Sequence, residues 1–104
     1  MSMEPVLASA DLTPGTAVRV VVADREVCVV RTEDGSVHAI DDICTHGEVS
    51  LAEGDVVGCT VECWLHGSAF DLRTGEPTSP PAFEPVEVYS CDERDGQIFV
   101  GIPD

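Results

Sequence analysis

Read for its alternation of apolar and polar positions, the chain predicts strands along most of its length and no long amphipathic helix. The runs "AVRVVVA" at 17–23 and "VCVVR" at 27–31 are rich in β-branched residues and are joined by the short polar turn Asp24-Arg25-Glu26. "TEDGS" supplies a glycine-containing turn into "VHAI" at 37–40. Near the end, "VEVYSC" begins in strict alternation, Asp95-Gly96 marks a turn, and "QIFVGI" follows. A short strand at 6–9 and one helical turn or loop at "ADLTPGT" complete the outer elements. Between residues 41 and 85 the apolar runs shorten, and Gly47, Gly54, Gly58, Gly67, Gly75, Pro77, Pro80 and Pro81 crowd together. That stretch predicts two small hairpins ending in tight loops, carried by outer strands that form the base of a sandwich or barrel. The expectation is one all-β domain over residues 1–104, antiparallel, with a smaller two-loop subdomain at about 41–85.

Composition narrows what such a domain does. At 104 residues and 43% apolar content there is enough for one modest core, to which a bound cofactor can add stability. Twenty acidic residues face five basic ones, a net charge of -15. That excess excludes nucleic acid and anionic membranes as partners, since both are polyanions. It keeps the surface soluble, and it suits a docking face for a basic protein. No apolar run approaches the ~20 residues of a membrane span. The opening "MSMEPVLASADL" has no basic segment and no long apolar one, so a secretory signal is not expected. The expected location is the cytosol, where thiols stay reduced. Five cysteines, an odd number, do not form a small disulfide scaffold, which leaves metal binding as the leading use for some of them.

The chemistry concentrates in "ICTHGEVSLAEGDVVGCTVECWLHGSAFD", residues 43–71. Cys44 and His46 form C-x-H, sixteen residues intervene, and Cys63 and His66 form C-x-x-H. Two thiolates and two imidazoles suit a soft or borderline metal. Structural zinc sites usually pair cysteine with cysteine and histidine with histidine, whereas here each half mixes the two. Mixed halves fit a two-iron cluster in which one iron takes both cysteines and the other both histidines. Gly47 and Gly67, directly after the histidines, let the backbone turn closely around such a group.

"CTHG" at 44–47 with "CWLHGSAFDLRTGEP" at 63–77 resembles the double signature of Rieske [2Fe–2S] proteins. Chain length and flanking strands resemble the small ferredoxins of multicomponent non-haem iron oxygenases. "PTSPPAFEP" at 77–85 resembles the proline loop that covers the cluster in that family. The resemblance implies a Rieske-like β-sandwich or barrel base with a cluster-binding subdomain, and one [2Fe–2S] cluster per chain. Cys44 and Cys63 would bind the inner iron through sulfur, and His46 and His66 the outer iron through Nδ1, with their Nε2 edges toward solvent. It implies a one-electron carrier and not an enzyme, without catalytic residues of its own. The carrier would be a monomer running from a flavoprotein NAD(P)H reductase to a terminal oxygenase. An accessory role in nitrite reductase or iron–sulfur assembly fits the same motif, and a zinc-stabilised interaction module is the reading without a cluster. An oxygenase catalytic subunit needs a second iron site with two further histidines, and only His38 remains.

The departures from the family pattern bear on potential. Val49 and Leu65 stand where high-potential relatives carry the two cysteines of a bracing disulfide, and Phe70 where they carry a tyrosine that donates to a ligand sulfur. Ser68 stands where a serine hydroxyl in the family often reaches a bridging sulfide, so the resemblance implies one remaining donor. Fewer donors to cluster sulfur place the potential in the lower half of the roughly −150 to +300 mV Rieske span. Away from the ligands, Cys28 and Cys91 are expected in the core, and Cys59 beneath the cluster. His38 is expected to be an ordinary strand histidine and Asp41-Asp42 turn chemistry. Trp64 either shields the cluster or meets the partner.

Overall fold

The computed structural model describes residues 2–43, 50–64, 68–78 and 84–102. Among these residues nine strands run in chain order: β1 (Ser2–Ala8), β2 (Thr16–Val22), β3 (Arg25–Arg31), β4 (Val37–Asp41), β5 (Asp55–Val57), β6 (Thr60–Glu62), β7 (Ala69–Asp71), β8 (Val88–Arg94) and β9 (Gln97–Ile102). Single 3-10 turns at Ser9–Asp11 and Leu51–Glu53 are the helical elements among the described residues. None is long and apolar enough to cross a membrane. Six strands form a curled antiparallel base sheet in the order β1-β9-β8-β4-β3-β2, and β5-β6-β7 form a small second sheet. The all-β architecture and its division into base and smaller unit agree with the sequence. In the middle of the chain, expected as two hairpins, β5-β6 and β6-β7 are consecutive hairpins that share β6.

The period-two alternation decides where each core lies. In β3, Val27 and Val29 face a core with Leu12, Val22, Ala39, Tyr89, Ile98 and Val100, inside the curl of the base sheet. Their neighbours Cys28 and Val30 face the opposite way, into a second core with Ile40, Leu51, Val61, Cys63, Phe70, Leu72 and Val86. The unbroken apolar run "VCVV" is therefore a strand buried on both faces. It joins the base to the small sheet.

Local chemistry sets the turns. Ala23 and Asp24 both take positive φ, 51° and 65°, so the β2–β3 connection is a two-residue turn and the strand resumes at Arg25. Such a turn matches the right-handed twist of the paired strands better than the three-residue one expected. β1 begins at Ser2, earlier than its residue types suggest, because it pairs with β9 from Ser2↔Ile102 to Ala8↔Gln97. Pro5 is tolerated on this outer strand, where the register shifts between Pro5 and Leu7.

Two glycines allow close approach at the small sheet. A Cβ on Gly54 would lie 1.7 Å from the carbonyl oxygen of Glu62, so the turn at Leu51–Glu53 can dock on β6 only through glycine. Gly75 has φ +78°, and a Cβ there would lie 2.0 Å from the carbonyl oxygen of Val86. The Val86 N–H donates to Gly75 O at 2.8 Å, closing the segment that contains residues 79–83.

Candidate metal centre

Of the four candidate ligands, Cys63 lies among the described residues; Cys44, His46 and His66 lie outside them, as do Val49 and Leu65. What the structure shows is how both ligand stretches are rooted. Residues 44–49 leave and return through an antiparallel bridge between Ile43 and Ser50. Residues 65–67 leave and return between Cys63 and Ser68, whose N–H and carbonyl pair at 2.6 Å. Leu51, directly after the first root, shares a core with Cys63 in the second. Gly54 then brings the first segment against the residue before Cys63.

Asp42 fastens the first root. Its side chain is fully buried; one oxygen accepts from Ser50 Oγ at 2.6 Å and the other from the Ala52 N–H at 2.9 Å. Its carbonyl accepts from the Leu51 N–H at 2.6 Å, and its own N–H donates to Glu26 O on β3 at 3.1 Å. A buried carboxylate persists where such donors replace water. Asp41-Asp42 is thus turn chemistry, as expected, but Asp42 is also a buried latch between loop and base sheet. Burial pushes the neighbouring Asp41 carboxyl above its usual range, and the charges of Glu87 and Asp42 act in the same direction.

The donor chemistry at the second root suits a soft metal group. Cys63 is 1% exposed and carries a free thiol; it shares a core with the fully buried Phe70, and its backbone pairs with the fully buried Ser68. An apolar, water-poor pocket for a thiolate ligand is what an iron–sulfur group requires. Trp64, one residue on, is 54% exposed, so it presents its ring outward from the second root. Thr78 N–H donates to Ala69 O at 2.7 Å and Pro77 bridges Phe70, which ties the start of the proline-rich stretch to β7.

The remaining cysteines divide. Cys28 is buried, as expected. Cys91 is only partly buried, because β8 leaves the core toward its polar end. Cys59 packs against the core that holds Cys63, but its Sγ also lies 3.9 Å from His38 Nε2. That pairing was not legible in the sequence, because the two residues belong to different sheets.

Residues 2–90 match the family model described as the Rieske [2Fe–2S] domain. The ferredoxin CarAc of Metapseudomonas resinovorans is 40% identical over 96 residues, covering 91% of this chain and 89% of that protein. Among solved structures, the ferredoxin of carbazole 1,9a-dioxygenase from Nocardioides aromaticivorans IC177 superposes with a TM-score of 0.89 at 36% identity, over 96% of this chain and 97% of that one. The ferredoxin in a complex of reduced oxygenase and oxidized ferredoxin of carbazole 1,9a-dioxygenase gives a TM-score of 0.86 at 38% identity, over 94% and 100%.

Proposed function

The chain belongs to the Rieske [2Fe–2S] domain family, and from that premise we propose a one-electron carrier that takes electrons from a flavoprotein NAD(P)H reductase and delivers them to a terminal oxygenase. The observation that carries this reading is the near end-to-end likeness to a ferredoxin solved together with its oxygenase. Cys44 and Cys63 would hold one iron and His46 and His66 the other. When bound, the cluster accepts and releases a single electron. The chain's own part is to root the two ligand loops. Asp42 latches the first, the Cys63–Ser68 pair closes the second, and the apolar packing of Leu51, Val61 and Phe70 keeps water from the thiolate side.

The partner's chemistry follows from charge. There is no lysine in the chain, and each of its five arginines sits beside a carboxylate. Arg19 pairs with Glu26 at 2.6 Å, Arg25 with Glu87 at 3.0 Å, Arg94 with Asp92 at 3.0 Å and Arg73 with Asp71 at 3.6 Å, while Arg31 pairs with Glu93. Fifteen carboxylates are left over, which offers an approaching protein an anionic surface and so selects basic patches. The carrier works as a monomer in the cytosol.

Reconstitution tests the proposal. Reduced protein should give a Rieske-type EPR signal and contain iron and acid-labile sulfide in equal amounts. With an NAD(P)H flavoprotein reductase and an aromatic-ring dioxygenase, product formation should depend on added carrier. That rate should fall as salt rises from about 0.01 to 1 M, where the screening length shrinks from ~30 to ~3 Å. A colourless zinc protein would sink the cluster. Turnover with nitrite reductase but with no oxygenase would move the carrier to the accessory role.

A further inference from the structure

Away from the ligand loops the fold sets a thiol beside an imidazole at the mouth of a cavity. Cys59 follows Gly58 in the turn between β5 and β6, and its carbonyl accepts from the Leu72 N–H at 2.9 Å, which fixes the turn. His38 comes from β4 of the base sheet, and its Nε2 lies 3.9 Å from Cys59 Sγ, within hydrogen-bond reach of sulfur. Cys59 also lines an open cavity of about 200 Å³ together with Thr32, Glu33, Asp34 and Gly58. A reagent entering this cavity meets Cys59 on its wall.

The imidazole has the properties of a base. His38 is half-buried, and burial lowers its pKa from 6.5; Arg73 acts in the same direction, while Asp34 and Asp71 oppose it. The ring is therefore neutral at pH 7 and able to accept the thiol proton. The other two cysteines outside the ligand set are closed to this chemistry. Cys28 is fully buried and its thiol is pushed far above the usual range, and burial pushes Cys91 up to about 12. Thiolates, not thiols, attack disulfides.

We propose that Cys59, with His38 as its base, is a thiol–disulfide exchange site for small disulfides that carry positive charge. As Sγ attacks, its proton passes to His38 Nε2. A Cys59–sulfur bond forms, the reagent's sulfur–sulfur bond breaks, and the departing thiolate takes the proton from the imidazolium. One sulfur–sulfur bond is exchanged for another, the number of disulfides is unchanged, and no other oxidant is needed. Glu33 and Asp34 at the cavity, Asp71 near His38, and the net charge of -15 set the selectivity, since an anionic disulfide is repelled before it arrives.

The test uses the cluster-loaded protein with cystamine as the cationic probe and dithiodiglycolate as the anionic one, read by intact mass. Wild type should take one cystamine adduct with its cluster absorbance intact, and Cys59→Ala none. His38→Gln should slow the adduct by about a hundredfold, the lower end of general-base effects. Cystamine should outpace dithiodiglycolate several-fold, and the gap should close near 1 M salt as screening becomes short. Where His38→Gln disturbs the fold, as read by circular dichroism, Asp34→Asn carries the test by narrowing the preference between the probes. Adduct formation in Cys59→Ala at the wild-type rate, no effect of His38→Gln in a folded protein, or equal rates for the two probes at low salt would each overturn the proposal. The outcome does not depend on the redox partner or on the ligand set.

Discussion

The base sheet and the small sheet bury cores of similar size by different means. Base strands run five to seven residues, and the β2–β3 and β8–β9 pairs close through two-residue turns. The small sheet has three strands of three residues each, too short to stand alone in water. Its order comes from outside: from the doubly buried strand β3, from the glycine approaches at Gly54 and Gly75, from the Asp42 latch, and, on the proposed ligand set, from the cluster. The difference teaches where the cofactor contributes to folding. The base sheet is stable by its own pairing, whereas the small sheet and the cluster are linked, so losing one loosens the other.

Removing a ligand should expose this most sharply. Cys63→Ser is expected to abolish cluster absorbance and the EPR signal, and to lower the melting temperature, while far-UV circular dichroism keeps most of its strand signal. A variant with full colour and an unchanged melt would break both the ligand assignment and the linkage. Next come two lesions of similar energetic size, one in each region. Gly54→Ala forces a Cβ to 1.7 Å from a backbone oxygen, where no side-chain rotation relieves the clash, and should cost about 3 kcal/mol. Val29→Ala removes two methyl groups from the fully buried base core and should cost about 2 kcal/mol. Denaturant midpoints measure the costs, and the rate of cluster bleaching separates the regions. Gly54→Ala should bleach many times faster than wild type, and Val29→Ala close to wild type. Equal bleaching would mean that the two sheets fold as one unit.

Asp42→Ala is smaller than Gly54→Ala and close to Val29→Ala. It leaves the Ser50 hydroxyl and the Ala52 N–H without their shared acceptor in a buried place, at a cost of about 2 kcal/mol. Asp42→Asn keeps one acceptor oxygen and should cost less. If Asp42→Ala melted like wild type and bleached no faster, the latch would be incidental.

These residues also mark where sequence was informative. Strands β2, β3, β4 and β9 were legible because their β-branched content and alternation are local, and Asp95-Gly96 names its own turn. β1 was legible only from Val6 onward, since Met3, Glu4 and Pro5 have no strand preference and are held by the distant β9. β8 extends to Arg94 through polar residues for the same reason. β7 hides inside the ligand motif, where the residues serve loop and strand at once. At the metal centre the C-x-H and C-x-x-H spacing is the basis of the proposed ligand set, but the supports did not announce themselves. Asp42 reads as one of two equivalent turn carboxylates until the fold buries it, and the Cys59–His38 pair depends on how two sheets pack. Cys91, expected in the core, shows that alternation at a strand's end does not guarantee burial.

The smallest effects are titrations, and they fall in different regions and pH windows. Arg31 donates through Nε to Leu12 O at 2.7 Å, through Nη1 to Gly35 O at 2.9 Å, and to both carboxylate oxygens of Glu93, which joins β3 to β8 within the base sheet. That contact holds the Glu93 carboxyl below its usual value of 4.5. The unfolded chain therefore binds the proton first, so the contribution is complete above about pH 4.5 and is lost as pH falls through the folded value. His38 sits at the junction with the small sheet, and burial holds it below 6.5. Here too the unfolded chain protonates first, and stability falls as pH drops below 6.5. Melting temperature against pH should accordingly decline in two stages. Glu93→Gln should flatten only the lower stage, and only partly, because Asp34 and Asp71 are also held below 3.8 and titrate there. His38→Gln should flatten the upper stage, by a few degrees at most, and leave the lower one in place. If the upper stage also sped cluster bleaching while the lower stage did not, the division between the regions would extend to their response to acid; if both stages bleached the cluster alike, it would not.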